Sequence, residues 1–140
     1  MLSLDIGTKR IGLAGCDPLG ITVTSLPAIK RKSFQEDLKQ FQIHCLSRSV
    51  KGLVIGIPLD QLSNMTPQAK KCEAYGLKIA KKLALPIAWV NEHSSTWEAE
   101  NVYNLKGDKT GKLDSAAASL LLKQWLLDGP EIKPVHAASH

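Results

Sequence analysis

Three short apolar runs open the chain, and turn-forming residues separate them. The runs are Leu2–Ile6, Ile11–Cys16 and Ile21–Leu26, and glycine, aspartate and proline occur in the segments between them. Short runs rich in aliphatic and β-branched residues, with turns between them, are typical of β-strands. The pattern therefore predicts an antiparallel three-stranded meander at the start of the chain.

Two helices are predicted from capping residues and helical periodicity. Ser33 and Glu36 have the spacing of a capping box, and Thr66 followed by Pro67 supplies an N-cap and a first helical residue. The first helix has an apolar stripe formed by Phe34, Leu38, Phe41 and Cys45. The second has a predicted buried face formed by Ala69, Cys72, Gly76, Ile79, Ala80 and Leu83.

Two continuous apolar runs, Leu53–Ile57 and Pro86–Val90, predict buried strands. A second capping box at Ser95–Glu98 predicts a helix that ends near Leu105, and a final helix is expected over about Leu113–Leu127. The predicted order is β-β-β-α-β-α-β-α-α. This order indicates a mixed α/β fold in which the meander leads into right-handed crossover connections.

Composition and charge narrow the class of protein. The chain has 140 residues and 44% hydrophobic content, which fits one compact domain, expected over residues 1–128 with a flexible tail over 129–140. Its three cysteines form no C-x-x-C pair, so neither a disulfide framework nor a zinc site is indicated. No leader or membrane-length apolar run is present in the sequence, and we expect a cytoplasmic protein with no membrane partner. The net charge of +5 weakly favours a polyanionic partner.

Three acidic residues are candidates for one metal site. Asp5 lies in the first predicted strand, Glu92 follows the last, and Asp114 shares a helical stripe with Ala117 and Ala118. Active sites of open α/β sheets gather at the carboxyl ends of strands, and converging carboxylates require a cation such as Mg²⁺ or Mn²⁺ between them.

Each acid also has an ordinary structural interpretation. Asp5 can pair with Lys9 or Arg10, Asp114 can be an acid favoured by the helix dipole, and Glu92 can be a solvated strand end. The spacings between the three acids form no local metal motif, so the constellation alone is a weak signal.

Four segments resemble the YqgF family, whose members are RuvC-like homologues of Holliday-junction resolvases, also described as pre-16S rRNA nucleases. The segments are Leu4–Ala14, Gly56–Leu59, Val90–Thr96 and Leu113–Ala118. The resemblance extends to about residue 127 and implies an RNase H-like fold, with a five-stranded mixed sheet made of a three-stranded antiparallel meander and two parallel strands, flanked by helices. It also implies a metal-dependent nuclease.

The resemblance assigns roles to particular residues. It implies that Asp5, Glu92 and Asp114 form the catalytic centre and hold Mg²⁺ or Mn²⁺, while Lys9 and Arg10 lie near the phosphate. The full set of residues expected to contact nucleic acid is Thr8, Lys9, Arg10, His93, Lys109 and Lys112. The last two belong to a basic, glycine-containing segment over residues 106–112 that we expect to be a mobile loop.

This sequence departs from the family pattern after the last strand. The family usually has Asp-Glu-Arg there, whereas this chain has Asn91, Glu92 and His93. The glutamate is retained, but two charges are lost. His93 is either a phosphate contact or proton donor, or a partly exposed turn residue. A basic stripe on the second helix, formed by Lys71, Lys78 and Lys82, is interpreted as a solvated face.

Substrate and alternatives remain open at the level of sequence. The substrate is either structured RNA, such as that of a ribosomal precursor particle, or branched DNA. Symmetric cleavage of a junction requires a two-fold dimer, whereas trimming RNA is possible for a monomer. One alternative is a catalytically weak RNA- or ribosome-binding module. Another is an ATP-binding domain similar to those of actin and Hsp70, which also have an Asp-Ile-Gly-Thr hairpin but place nucleotide between two domains.

Overall fold

The fold is an open five-stranded mixed sheet with helices on both faces. The computed structural model describes residues 1–59, 62, 64–91 and 112–129. The strands are β1 (Leu2–Ile6), β2 (Arg10–Cys16), β3 (Val23–Lys30), β4 (Leu53–Ile57) and β5 (Ile87–Asn91). Their order across the sheet is β3-β2-β1-β4-β5. The predicted meander is confirmed because β1 pairs with β2, and β2 with β3, in antiparallel orientation.

The last two strands extend the sheet beyond β1 in parallel orientation. Leu4 of β1 lies opposite Ile55 of β4, and Ile55 lies opposite Trp89 of β5. The carboxyl ends of β1, β4 and β5 therefore meet at one edge of the sheet, which we call the carboxyl edge. The predicted fold class is confirmed in both strand number and strand direction.

Three helices are described: α1 (Phe34–Arg48), α2 (Pro67–Leu83) and α3 (Lys112–Asp128). The side chain of Ser33 accepts a hydrogen bond from the Glu36 amide (3.1 Å), and that of Thr66 accepts one from the Ala69 amide (3.0 Å). Both predicted N-caps are thus confirmed. The helix predicted over 95–105 lies outside the described residues.

The two faces of the sheet have different coverings. Leu2, Leu4 and Ile6 of β1 belong to a core cluster that includes Phe41 of α1 and Ile79 of α2. On the opposite face, α3 packs its Ala118, Leu121 and Leu122 against Ala14, Val54 and Val90. Successive strand residues alternate between these faces, which fixes the direction of every side chain on β1.

The structure corrects two boundaries. The third strand reaches Lys30 rather than ending at Leu26, and it contains an irregularity because Ile11 pairs with Ile29 while Leu13 pairs with Leu26. Pro27 falls in this bulge at the sheet edge, where its missing N–H breaks no regular ladder. The second correction concerns Lys112, which we expected in a loop and which begins α3.

No helix within the described ranges is long and apolar enough to cross a bilayer.

Candidate functional site

Asp5 lies near the end of β1 on the face covered by α3. Its neighbour two residues earlier, Ser3, donates a hydrogen bond from Oγ to the carbonyl oxygen of Ala118 in α3 (2.7 Å). Because side chains alternate along a strand, Asp5 projects to the same face as Ser3. The other residues of β1 are buried, whereas Asp5 is partly accessible. A carboxylate therefore faces the space at the carboxyl edge rather than the core beneath α1 and α2.

Small residues leave room around Asp5. The residue paired with it on β2 is Gly12, which has no side chain on the shared face. The helix α3, which covers this face, contributes Ala117 and Ala118, both buried. Directly opposite side chains in a sheet lie about 5 Å apart, so a larger residue at position 12 would fill the space beside the carboxylate. Gly12 therefore places no side chain beside the Asp5 carboxylate.

The helix α3 runs antiparallel to β1. Ser119 Oγ hydrogen bonds with Ser25 Oγ (2.6 Å), and Ser115 Oγ donates to the carbonyl oxygen of Leu26 (2.6 Å). Ser25 and Ser3 both pair with Ala14 of β2, so they lie at the same height along the sheet. Leu26 lies one residue nearer the carboxyl edge. The beginning of α3 therefore points toward the carboxyl edge.

The backbone at position 114 consequently comes level with Asp5. From the Ser3–Ala118 contact, two strand residues lead to Asp5, a rise of about 6.7 Å. Four helical residues lead from Ala118 back to Asp114, a rise of about 6 Å in the same direction. The described backbone thus brings two of the three predicted acidic positions to the same height on the same face.

The third predicted acid follows β5 in the sequence. Val90 of β5 contacts the α3 side of the sheet, and the strand ends at Asn91, which pairs with Ile57. The strands β1 and β5 are separated by β4 alone, so their backbones are about 10 Å apart. Glu92 itself lies outside the described residues.

The turn between β1 and β2 carries the predicted cations. The Gly7 amide donates to the carbonyl oxygen of Arg10 (2.9 Å), which closes a turn that exposes Thr8 and Lys9. A Cβ at Gly7 would lie 2.7 Å from that same oxygen, so the close approach requires glycine. Arg10 is two residues from Gly12 on β2 and therefore projects to the same face, toward α3. There it is the diagonal neighbour of Asp5, at a distance that a long side chain can span.

A second group of polar residues lies on the opposite face of the sheet, beneath the same turn. Arg31 follows β3, and its Nη1 donates to the carbonyl oxygen of Gly7 (2.8 Å). The Arg31 guanidinium also lies over the ring of Tyr75 in α2, 4.4 Å from its centroid. These two contacts hold a cation in place between the turn and α2.

A buried carboxylate anchors this group. Asp37 of α1 is only 2% exposed; its Oδ2 accepts from the Tyr75 hydroxyl (2.9 Å) and its Oδ1 accepts from the Lys32 amide (3.0 Å). Burial raises the pKa of Tyr75 well above its ordinary value, and the hydrogen bond to Asp37 raises it further. Tyr75 therefore stays protonated and keeps its donor role throughout the neutral range.

A pocket of about 390 Å³ lies between this group and the turn. Ile6, Gly7 and Thr8 line one side, and α2 lines the other with Lys71 and Lys78, among others. The lining also includes Arg31 and Tyr75. We call it the turn pocket. The basic stripe on α2, formed by Lys71, Lys78 and Lys82, is exposed as expected. Two of these lysines, Lys71 and Lys78, also line the turn pocket.

The predicted site residues are only partly within the described structure. Asp5, Thr8, Lys9 and Arg10 are described and lie at the carboxyl edge or its turn. His93 and Lys109 lie outside the described residues, as Glu92 does, and only the helical backbone is described for Lys112 and Asp114. Among the residues that the structure does describe, no three His, Cys, Asp or Glu side chains form a metal-binding group. The three-acid site stays a prediction.

Comparison with known families identifies the chain. A family model described as "RuvX: Holliday junction resolvase" matches residues 1–128. The chain belongs to this family. A RuvX membership agrees with the resemblance seen in the four motifs and favours a resolvase-type domain over the actin-like alternative.

Two curated relatives are similar to this chain over nearly its whole length. A protein of Prochlorococcus marinus (strain MIT 9313), named "Putative pre-16S rRNA nuclease", is 63% identical over 140 residues, which cover 100% of this chain and 87% of the relative. A protein of the same name from Synechococcus sp. (strain CC9902) is 60% identical over 137 residues, covering 98% of this chain and 84% of the relative.

Solved structures support the fold. Thermus thermophilus RuvC in complex with a Holliday junction substrate aligns with a TM-score of 0.52 at 12% identity, covering 96% of this chain and 99% of RuvC. A second Thermus thermophilus RuvC structure aligns with a TM-score of 0.50 at 13% identity, with the same two coverages. At this level of identity the likeness concerns the fold, which is RNase H-like as expected.

Sequence reasoning missed the contacts around Arg31. Arg31 and Asp37 are close in the sequence, but Tyr75 is 38 residues from Asp37, and no local motif connects it to them. The adjacent cations Arg31 and Lys32 after β3 were the one available signal, and a basic pair alone does not predict a pocket. The lysines on α2 were noticed, but their pocket depends on how α2 packs beside the turn.

Proposed function

We propose that this RuvX-family chain is a metal-dependent nuclease that hydrolyses phosphodiester bonds in nucleic acid. Its preferred substrate is precursor 16S rRNA, near the 5′ end, with Holliday-junction DNA as the alternative substrate. Asp5, Glu92 and Asp114 are the proposed catalytic residues and the proposed ligands of Mg²⁺ or Mn²⁺. The activity belongs in the cytoplasm, where ribosomal precursor particles are the expected partners.

The observation that carries this proposal is the shared height of Asp5 and helix position 114 at the carboxyl edge. Asp5 pairs with Gly12 on the face that α3 covers, and this helix contributes two buried alanines there. Open α/β sheets bind ligands beyond the carboxyl ends of their strands, and Asp5 lies near such an end. A structural role alone does not require an acid at both positions.

The chemistry of the donor set fits a hard divalent cation. The three proposed ligands supply only carboxylate oxygens, which Mg²⁺ and Mn²⁺ prefer over the nitrogen and sulfur ligands of zinc sites. Three carboxylates at one point would repel one another unless a cation lay between them. When bound, such a cation supplies Lewis-acid stabilisation of the attacking and leaving oxygens of the phosphodiester.

The residues of the turn have a separate role in substrate binding. Lys9 is exposed at the tip of the turn, and Arg10 faces the same side of the sheet as Asp5. Both offset phosphate charge and position the backbone of the nucleic acid against the carboxyl edge, without reading its sequence. His93, Lys109 and Lys112 extend this contact surface in the proposal.

The choice of ribosomal RNA rests on the two curated relatives, since both names refer to pre-16S rRNA. The family description and the RuvC complex refer instead to Holliday junctions. Trimming RNA requires no dimer, whereas symmetric junction cleavage requires a two-fold dimer. Symmetric cleavage of the junction would therefore imply a dimer, whereas cleavage of rRNA alone requires no particular oligomeric state.

A cleavage panel tests the proposal. Precursor 16S rRNA, an unrelated single-stranded RNA and a four-way DNA junction are incubated with the wild-type protein, with and without Mn²⁺. Asp5→Asn is compared with Glu73→Gln, which also removes one carboxylate charge but lies on α2, on the face of the sheet opposite Asp5. We expect Mn²⁺-dependent cleavage of the rRNA that Asp5→Asn lowers at least a hundredfold and Glu73→Gln leaves unchanged.

Two results would contradict the proposal. Cleavage that persists in Asp5→Asn and in a chelator would exclude the proposed metal centre. Salt-sensitive RNA binding by the wild type, with no cleavage of any substrate at any metal concentration, would instead support a binding module with the same fold.

A further inference from the structure

The turn pocket has the composition of an anion site. Three of its lining residues are cations, Arg31, Lys71 and Lys78, and none of the described residues that line it is acidic. Like charges brought to one concave surface repel one another and raise the local positive potential. A surface that only keeps a helix soluble gains nothing from such an arrangement. An anionic ligand would offset this repulsion.

The central cation is held in place before any ligand binds. One N–H group of the Arg31 guanidinium donates to the Gly7 carbonyl oxygen, and the planar group lies over the Tyr75 ring. Tyr75 is fixed in turn by its hydroxyl, which donates to the buried Asp37 carboxylate. The Asp37 carboxylate accepts hydrogen bonds from the Tyr75 hydroxyl and from a backbone amide. Neither of these hydrogen bonds involves Arg31.

The lysines complete the pocket from the side of α2. They are seven residues apart, about two helical turns, and so lie on one face of the helix. Lys78 Nζ lies 4.1 Å from the centroid of the Phe34 ring, a cation–π contact that keeps this ammonium group beside the pocket. Lys71 is exposed at the other end of the same wall.

The turn joins this pocket to the proposed active site. Thr8 lines the pocket on one face of the sheet, while Arg10, at the other end of the same turn, faces α3 together with Asp5. Both surfaces lie at the carboxyl end of β1. A polyanion that follows the turn around the edge of the sheet would therefore meet cations on both sides of it.

We propose that the turn pocket binds a backbone phosphate of the nucleic-acid strand, on the face of the sheet opposite Asp5. Arg31 and the two lysines contact the phosphate oxygens, and the pocket holds the substrate strand beyond the point of cleavage. This inference rests on the proposed nuclease function for the identity of the polyanion. It assigns a binding role to residues that lie outside the motifs shared with the family.

Binding in metal-free buffer tests this inference without relying on cleavage. Fluorescence anisotropy measures the affinity of labelled single-stranded RNA and of a labelled four-way DNA junction for Lys71→Gln/Lys78→Gln. The matched control is Lys70→Gln/Lys81→Gln, which removes the same charge from exposed positions of the same helix that do not line the pocket. Arg31 is left intact because its bond to the turn gives it a structural role as well.

The expected effect is large and salt-dependent. Neutralising one phosphate of a single strand contributes about 0.7 to the slope of log affinity against log salt, so losing the one phosphate contact in the pocket should reduce the slope by up to about 0.7. At low salt we expect its Kd for the tighter-binding probe to rise roughly tenfold, against less than about twofold for the control. An excess of mononucleotide should compete poorly, since one phosphate cannot span both faces of the edge.

Equal losses of affinity in the two double variants would overturn the inference, as would an unchanged Kd or no binding of either probe by the wild type. Competition by a mononucleotide as effective as that by RNA would assign the pocket to a small ligand and overturn it too. If the pocket variant alone loses affinity and the wild-type protein cleaves no substrate, the phosphate site is supported and the proposed nuclease function is refuted. If cleavage depends on Asp5 but the pocket variant binds normally, the nuclease function is supported and the phosphate site is refuted.

Discussion

The hydrogen bond between Tyr75 and the buried Asp37 carboxylate provides a sharp test of the described packing. Tyr75→Phe removes only the hydroxyl, so the ring remains against Arg31 and Phe34. The change leaves no large cavity. It does leave Asp37 Oδ2 without the donor that lies 2.9 Å away in the wild type.

The expected cost follows from the charge and burial of the acceptor. Asp37 is 2% exposed, so water does not readily replace the lost donor. A hydrogen bond to a charged group contributes about 1.5–3 kcal/mol, and we expect Tyr75→Phe to lower the free energy of unfolding by about 2 kcal/mol. For a chain of this size that corresponds to a fall in Tm of roughly 8 °C.

The stability difference should also depend on pH. Tyr75 has a raised pKa in the folded state, so above the ordinary tyrosine value of about 10 the unfolded chain loses this proton first. The stabilisation is therefore complete below pH 10 and decreases as the pH rises beyond it. The advantage of the wild type over Tyr75→Phe should shrink in alkaline buffer.

Urea unfolding followed by circular dichroism, at pH 7 and at several values above pH 10, measures both effects. Ser47→Ala is a suitable control because this hydroxyl is exposed on α1 and its bond to His44 is long, at 3.4 Å. The interpretation of the Asp37 network would be refuted if Tyr75→Phe cost no more than the control. A difference that stays constant above pH 10 would refute the raised pKa of Tyr75.

Two further substitutions probe the scaffold of the carboxyl edge. Ser3→Ala removes the 2.7 Å hydrogen bond to Ala118 that links β1 to α3, and we expect a loss of about 1 kcal/mol in urea unfolding; wild-type stability would contradict this link. Gly7→Ala would bring a Cβ within 2.7 Å of the Arg10 carbonyl oxygen, so the turn must shift. We expect Gly7→Ala to lower stability by about 1–3 kcal/mol and to weaken RNA binding because Lys9 moves with the turn, whereas wild-type values in thermal melts and anisotropy would count against the turn geometry.

The parts of the fold that local sequence determines were predictable. The caps at Ser33 and Thr66 act within one helical turn, so their spacing alone locates two helix starts. The first strand was predicted with its observed bounds because glycine and polar residues interrupt the apolar run directly after it. Asp5 was recognisable as unusual for the same reason, since a charged residue within an apolar run needs a partner.

Features that depend on tertiary packing were not predictable. The third strand continues through Pro27 because pairing with β2 and a bulge at the edge compensate for a residue that ordinarily ends a strand. The contact of Arg31 with Tyr75 exists because α2 packs beside the turn, and nothing in either segment alone indicates it. The height of position 114 relative to Asp5 likewise required the hydrogen bond between Ser3 and α3.

Binding of Mn²⁺ is a direct test of the proposed metal site, because three carboxylates from separate segments must meet for it to occur. Isothermal titration calorimetry on the wild-type protein, on Asp5→Asn, Glu92→Gln and Asp114→Asn, and on Glu73→Gln as control needs no knowledge of the substrate. We predict saturable binding that each of the three variants weakens at least tenfold and the control leaves intact. Wild-type affinity in any of the three, or no binding by the wild-type protein, would contradict a shared metal site at the carboxyl edge.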